Sequence, residues 1–468
     1  MGVFFVGFIV SLGVMFIHPV GPGLVLLAVS PWESVLWGMA GNASNIFTPL
    51  PILAQIVRTA PVLWGQMFLG SRIQILAAIF IAVLALGTLM SVAEYGSRVI
   101  VTYLRHVAVI VIMGVIVWTY REPRHFDLST RVLIISMTLV SSLALTDFFL
   151  GTSLLPSGDA AAQAGVVGEE FEEYRTGEFR FGGAGASGNR FANWLILPIF
   201  LSLGWAMSGG SVLARVVAFG GLAVMSMGVL ATISRAAMLG LGVGGLFLLP
   251  AALRINPRQV VAIGAMGGVA LSIAALIVFQ TAVGEALLFR FSGGAVAYAG
   301  EHRFSLVMAG LKVFLTSPIW GVGHYGYLEA VRELMPDAGF RNFSHNTFIS
   351  VLVEDGLLGF LPFMAVLILS LRQLSRRCVD SAAPFEYWRP FVRSALIAML
   401  VQSWFNVYTF ERFIWFCVAF AAVLERAETS DRMRRLRERI AGAPSFADPD
   451  PGAAGSLDQD SQRDLAPS

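Results

Sequence analysis

The sequence predicts an all-α, polytopic integral membrane protein with about twelve transmembrane helices and a large, partly helical external loop. Three observations carry this expectation. Of 468 residues, 56% are hydrophobic and 13% charged, against about a quarter charged in soluble domains. Mean hydropathy is +0.73. Apolar runs long enough to cross ~30 Å of hydrocarbon at ~1.5 Å per helical residue recur along the chain. The net charge of +2 is too small to point to nucleic acid. Two cysteines, Cys378 and Cys417, make no disulfide framework.

Residues 3–17 are apolar, without a basic leader or a clear small-residue cleavage site, and read as a first membrane segment. A turn at 18–23 leads to a second apolar run, 24–39, which contains Glu33. Residues 41–70 are mixed and read as interfacial. Clear spans follow at 73–93, 99–120 and 132–150. Residues 151–190 carry no apolar stripe and read as an exposed loop. Four closely spaced spans follow at 191–207, 212–232, 236–253 and 260–283. The central loop covers 284–345. Another span runs 347–371, and two more fit between 391 and 424 around a short turn near 406–412.

Arginine placement sets the orientation. Arg72, the group Arg121, Arg124 and Arg131, then Arg215, Arg254 with Arg258, Arg372 with Arg376 and Arg377, and the run 432–439 mark alternate span ends. The positive-inside rule assigns those ends to the cytoplasm. Loops 151–190 and 284–345 therefore face the far side, and both termini lie in the cytoplasm. Residues 1–426 form the membrane domain. Residues 427–468 are expected to be a basic cytoplasmic helix and a disordered tail rich in Pro, Ala, Gly, Asp and Ser.

The residues suited to chemistry gather at the outer ends. His345 stands where a polar loop meets an apolar helix, and its ordinary pKa near ~6.5 lets it accept a proton at neutral pH. Taken alone, such a histidine is more often structural than catalytic, here a helix-start residue capped by Ser344 or Asn346. Arg303 opens an expected amphipathic helix over 302–315, with Phe304, Val307, Met308, Leu311 and Leu315 on its apolar side. A guanidinium can grip phosphate with two parallel hydrogen bonds. Arg235 stands at the outer end between two spans and reads as a phosphate ligand or a helix-end anchor. Arg290 is a further candidate. Arg180 precedes a glycine-rich turn that leads to Asn189, and glycines let backbone N–H groups approach an anion.

Glu354 lies inside a span, ~13 Å along the helix from His345 and turned away from it. It is expected to pair with an arginine or polar group of a neighbouring helix. The acids and histidines lack metal-ligand spacing, and no nucleotide fingerprint is present. No metal and no cofactor are expected.

The segment from Arg303 through Pro318-Ile319-Trp320-Gly321-Val322-Gly323 to His345-Asn346 and Glu354 to Gly359 resembles the bacterial O-antigen ligase and O-antigen polymerase superfamily. That family shows a loop arginine, a Pro-x-x-Gly-x-Gly turn, and a His-Asn pair opening a helix that reads roughly Glu-x-Gly-Leu-x-Gly. Ser234-Arg235 and the Arg180-to-Asn189 turn resemble further family features. The resemblance covers roughly residues 83–371.

It implies a metal-independent, inverting glycosyltransferase in the bacterial inner membrane, working on the periplasmic face. The donor would be a polyprenyl-diphosphate-linked glycan. The acceptor would be lipid A-core or a growing surface polysaccharide. His345 and Arg303 would be catalytic. Arg235, Arg303, Arg180 and Arg290 would bind diphosphate, with Asn346, Asn189 and Glu354 in support. The other expected partner is the lipid bilayer, and polysaccharide-assembly proteins are possible partners. A small-solute transporter is the alternative, because Glu354-Asp355 inside a span would suit an ion path. Against it stand the absence of an internal repeat and the gathering of candidates at the outer face.

Overall fold

The computed structural model describes residues 55–57, 59, 63–120, 123–150, 187–208, 210–261, 264, 293–335, 344–376 and 383–441, with Gly21, Val25, Leu27 and Ala28. Among the described residues all regular structure is helical. The order is α1 (Trp64–Leu69), α2 (Arg72–Tyr95), α3 (Ser97–Thr119), α4 (Pro123–Leu150), α5 (Gly188–Met207) and α6 (Val212–Ala231). Then come α7 (Arg235–Ile255), α8 (Gly293–Thr316), α9 (Tyr327–Leu334), α10 (Thr347–Ser375), α11 (Ala383–Ser403) and α12 (Arg412–Ala441). The chain divides into a unit of residues 1–426 and a second of 427–468. Everything described below lies in the first.

Local sequence sets several helix starts. Ser71, Ser187 and Ser211 accept hydrogen bonds from the backbone N–H of Gln74, Arg190 and Ala214, opening α2, α5 and α6. Each satisfies one of the donors a helix leaves free at its first turn. Seven described helices, α2 to α7 and α10, are long and apolar enough to cross a membrane. α11 and α12 are helical where the sequence led us to expect two more spans. The other expected spans, 3–17, 24–39 and 260–283, fall wholly or mainly outside the described residues.

α5 is the central helix. Nearly all its side chains are buried, and it packs against α4, α6 and α11. The stretch of α12 from Phe413 to Leu424 is buried too. The outer helices instead turn large apolar side chains outward, such as Leu86 and Leu89 on α2 and Leu246 and Phe247 on α7. That is costly in water and neutral against lipid, so these faces read as lipid-facing. α7 and α11 cross at close range. A Cβ at Gly240 or Gly244 would collide with the backbone carbonyls of Ala398 or Ser394, the small-residue contact by which membrane helices let their backbones approach.

Two expectations need correction. The helix expected over 302–315 begins at Gly293. Its buried face is Leu306, Ala309 and Val313, whereas Phe304, Met308 and Leu315 point outward. Periodicity identifies an apolar stripe, but it does not say whether protein or lipid covers it.

Candidate functional site

One end of the bundle holds the starts of α5, α7 and α10, and residues 404–411, between α11 and α12, tie them together. Thr347 at the start of α10 donates its hydroxyl to the Asn406 carbonyl at 2.7 Å and accepts from the Tyr408 N–H at 2.9 Å. Asn189 in the first turn of α5 donates to the Asn406 side-chain oxygen at 3.1 Å. Its own side-chain oxygen accepts from the Ser234 hydroxyl at 2.9 Å, and Ser234 immediately precedes Arg235. The Asn189 carbonyl accepts from Gln402 Nε2 and the Tyr408 hydroxyl, both at 3.0 Å. Three helix N-termini, each carrying partial positive charge, thus meet at one place.

Charged groups cluster around this knot. Arg190 Nε lies 2.5 Å from Glu411 Oε1, and Trp194 donates to Glu411 Oε2 at 2.8 Å. The guanidinium carbons of Arg190 and Arg105 stand 5.5 and 5.8 Å from the centre of the Phe410 ring. The guanidinium of Arg303 lies over Phe405, 5.6 Å from the ring centre, and the ring of the next residue back, Trp404, meets that of Phe348 at 5.2 Å with a tilt of 48°. Phe348 is three residues beyond His345. The Trp404-Phe405 pair therefore bridges the helix start that follows His345 and the helix that bears Arg303.

His345 is half-buried and holds a backbone φ of 49°. This left-handed conformation is uncommon outside glycine, and histidine tolerates it better than most residues. It aims the chain so that Asn346 can cap α10, accepting from the N–H groups of Phe348 and Ile349 at 2.9 and 3.1 Å. Asn346 is thus the capping residue, and the Ser344 hydroxyl braces the turn by bonding the Asn346 carbonyl at 2.8 Å. Arg235 is half-buried at the first position of α7, after Ile233, whose φ is 52°. Arg180 and Arg290 lie outside the described residues.

Glu354 belongs to a second, buried cluster deeper in the bundle. His324 Nδ1 lies 3.8 Å from both Glu354 Oε2 and Asp355 Oδ1. Glu354 was expected to pair with an arginine or polar group of a neighbouring helix; the histidine beside it comes from the loop between α8 and α9. The His324 ring meets the His106 ring edge-on at 5.1 Å, and His106 Nε2 lies 2.9 Å from the Thr409 hydroxyl.

The backbone explains why a glycine, Gly356, stands two residues after Glu354. Gly356 has φ 60° and ψ −164°, which breaks α10. In an unbroken helix Leu357 N–H would bond the Val353 carbonyl, and Leu358 N–H the Glu354 carbonyl. The Pro318–Gly323 turn supplies the missing partners. Val322 and Gly323 donate to the Val353 and Glu354 carbonyls at 2.9 and 3.0 Å. The Pro318 and Ile319 carbonyls accept from Leu357 and Leu358 at 2.9 and 3.2 Å.

Sequence reasoning missed His106, His324 and the anchoring role of Thr347, Asn406 and Tyr408. Their signals were present but faint: His324 directly follows the glycine turn, and Asn406 to Glu411 interrupts two apolar runs with polar side chains. The geometry defines a polytopic helical membrane protein with a polar, arginine-rich cluster at one end. Residues 220–364 match the family model described as O-antigen ligase. That match takes in Arg235, Arg303, His345 and Glu354, and it supports a relationship of this segment to the O-antigen ligase superfamily. No curated protein matches the chain.

Proposed function

We propose that this membrane protein transfers a glycan from a polyprenyl-diphosphate carrier to a hydroxyl acceptor, on the periplasmic face of the bacterial inner membrane. The observation that carries the reading is the meeting of three helix N-termini with Arg190, Arg235, Arg303 and the His345 junction at one end, within a chain matching an O-antigen ligase model. Helix N-termini and guanidinium groups both favour phosphate. A lipid diphosphate presents its charge at the bilayer surface, and it suits a compartment without nucleotide sugars because it is activated in advance.

In the proposed step His345 takes the proton from the acceptor hydroxyl. The oxygen attacks the anomeric carbon as the bond to the diphosphate oxygen breaks, with inversion. The lipid diphosphate leaves, and Arg303 and Arg235 stabilise its growing negative charge. Arg180 and Arg290 are proposed as further diphosphate ligands, with Asn189, Asn346 and Glu354 in support. The acceptor is lipid A-core or a second lipid-linked glycan.

Reconstituted protein, a polyprenyl-diphosphate glycan and each acceptor in turn, read on a gel, test this. Product with one acceptor supports transfer and separates ligase from polymerase. No product with either acceptor, together with movement of a solute across sealed liposomes, would favour the transporter instead.

A further inference from the structure

α8, the turn that follows it and α9 were expected as part of a water-exposed loop. Their packing points elsewhere. α8 runs alongside α10 in the same direction. Gly310 packs against Ile349, and the chain after α8 reaches Leu357 and Leu358 through the bonds of Pro318 and Ile319. Leu357 is ten residues beyond Thr347, ~15 Å along α10, and α10 is a candidate span. Hydrocarbon is ~30 Å thick. The turn therefore sits well below the end of the bundle that holds His345.

The surface of this hairpin changes character with depth. On the upper arms Glu301, Glu329 and Arg332 are exposed. Below Lys312 the exposed side chains include Leu315, Ile319 and Trp320, at 74%, 55% and 55% exposure. They adjoin the outward Leu357, Leu358 and Leu361 of α10, one of the lipid-facing helices. Phe304, Met308 and Leu315 share one side of α8, within ~40° at ~100° per residue. Lys312 is long enough to reach back to the interface.

We infer that α8, residues 317–326 and α9 form a re-entrant hairpin that enters the bilayer from the His345 end and lays Met308, Leu315, Ile319 and Trp320 against lipid acyl chains. Irregular backbone survives at membrane depth only when protein satisfies its polar groups, and the break in α10 does that for Pro318 to Gly323. The hairpin also screens the His324, Glu354 and Asp355 cluster from lipid. This inference does not depend on the transfer reaction.

The test uses the full-length protein in liposomes. In a variant with Cys378 and Cys417 replaced, single cysteines are placed at Leu315, Trp320 and Glu329. A water-soluble maleimide should label Leu315→Cys and Trp320→Cys on the order of 10-fold or more slower than Glu329→Cys, because hydrocarbon suppresses the reactive thiolate. Separately, brominated phospholipids should quench more fluorescence in the wild type than in Trp320→Phe. Equal labelling at the three positions would overturn the inference. So would slow labelling without lipid quenching at Trp320, since protein would then cover the face. The quenching comparison stands even if a cysteine variant fails to fold.

Discussion

Gly321 and Gly356 face each other across the break in α10, and neither can carry a side chain. Both hold positive φ, 77° and 60°. A Cβ on Gly321 would overlap the Glu354 carbonyl, and one on Gly356 would overlap the Ile319 carbonyl. Two glycines far apart in sequence are thus one structural device. They let a turn lie flat against an opened helix and replace the hydrogen bonds it has lost.

Gly321→Ala and Gly356→Ala should each lower stability by at least ~1–2 kcal/mol from the left-handed backbone alone. The collision adds more. Thermal unfolding in detergent, followed by size-exclusion chromatography, measures it. The double variant should cost less than the sum, because the first substitution already undocks the turn. Full additivity would mean that the glycines act independently.

This device shows how far the sequence was legible. The Pro-x-x-Gly-x-Gly and Glu-x-Gly patterns stood out through their resemblance to a family, and the long spans through hydropathy. That the two patterns bond to each other could not be read, because pairing a turn with a helix break is a tertiary event with no local period. His324 was overlooked for the same reason: its neighbours Glu354, Asp355 and His106 come from distant segments. The outward face of α8 was misjudged because lipid and protein interior select the same apolar residues. Asn189 was legible as a residue type at a helix start, but not as the hub joining three helices.

Arg303→Lys should be nearly as harmful to transfer as Arg303→Ala, and Arg235 should behave alike. Lysine keeps the charge but loses the planar fork that grips two phosphate oxygens. Above Phe405 it also loses the stacking surface of the guanidinium. Transfer rates of the four variants, with folding checked by chromatography, decide this. Full rescue by lysine at both positions would reduce their role to plain charge.

Orientation can be read with reporter fusions. Alkaline phosphatase joined at Gly165 or Asp337 should be active, and joined after Arg377 inactive, because the arginine-rich ends stay in the cytoplasm. The reverse pattern would put the His345 end on the wrong side for an exported donor.

His345 provides the sharpest separation of chemistry from scaffold. It occupies a left-handed turn with Asn346, not His345, supplying the cap of α10. Alanine keeps that cap and the knot around Asn406, so His345→Ala should fold, at a modest cost for the φ of 49°. His345→Asn, whose side chain suits that backbone, controls for the strain. Both variants should still bind a lipid-linked donor, since Arg235 and Arg303 remain. If His345 is the general base, turnover should fall ~10²–10⁴-fold in both, with KM for the donor little changed. The residual activity should also lose the pH step that belongs to the histidine. Equal loss in the two variants assigns the effect to the imidazole and not to the turn. Wild-type turnover in His345→Asn would remove the residue from the mechanism and leave it a role in shaping the start of α10.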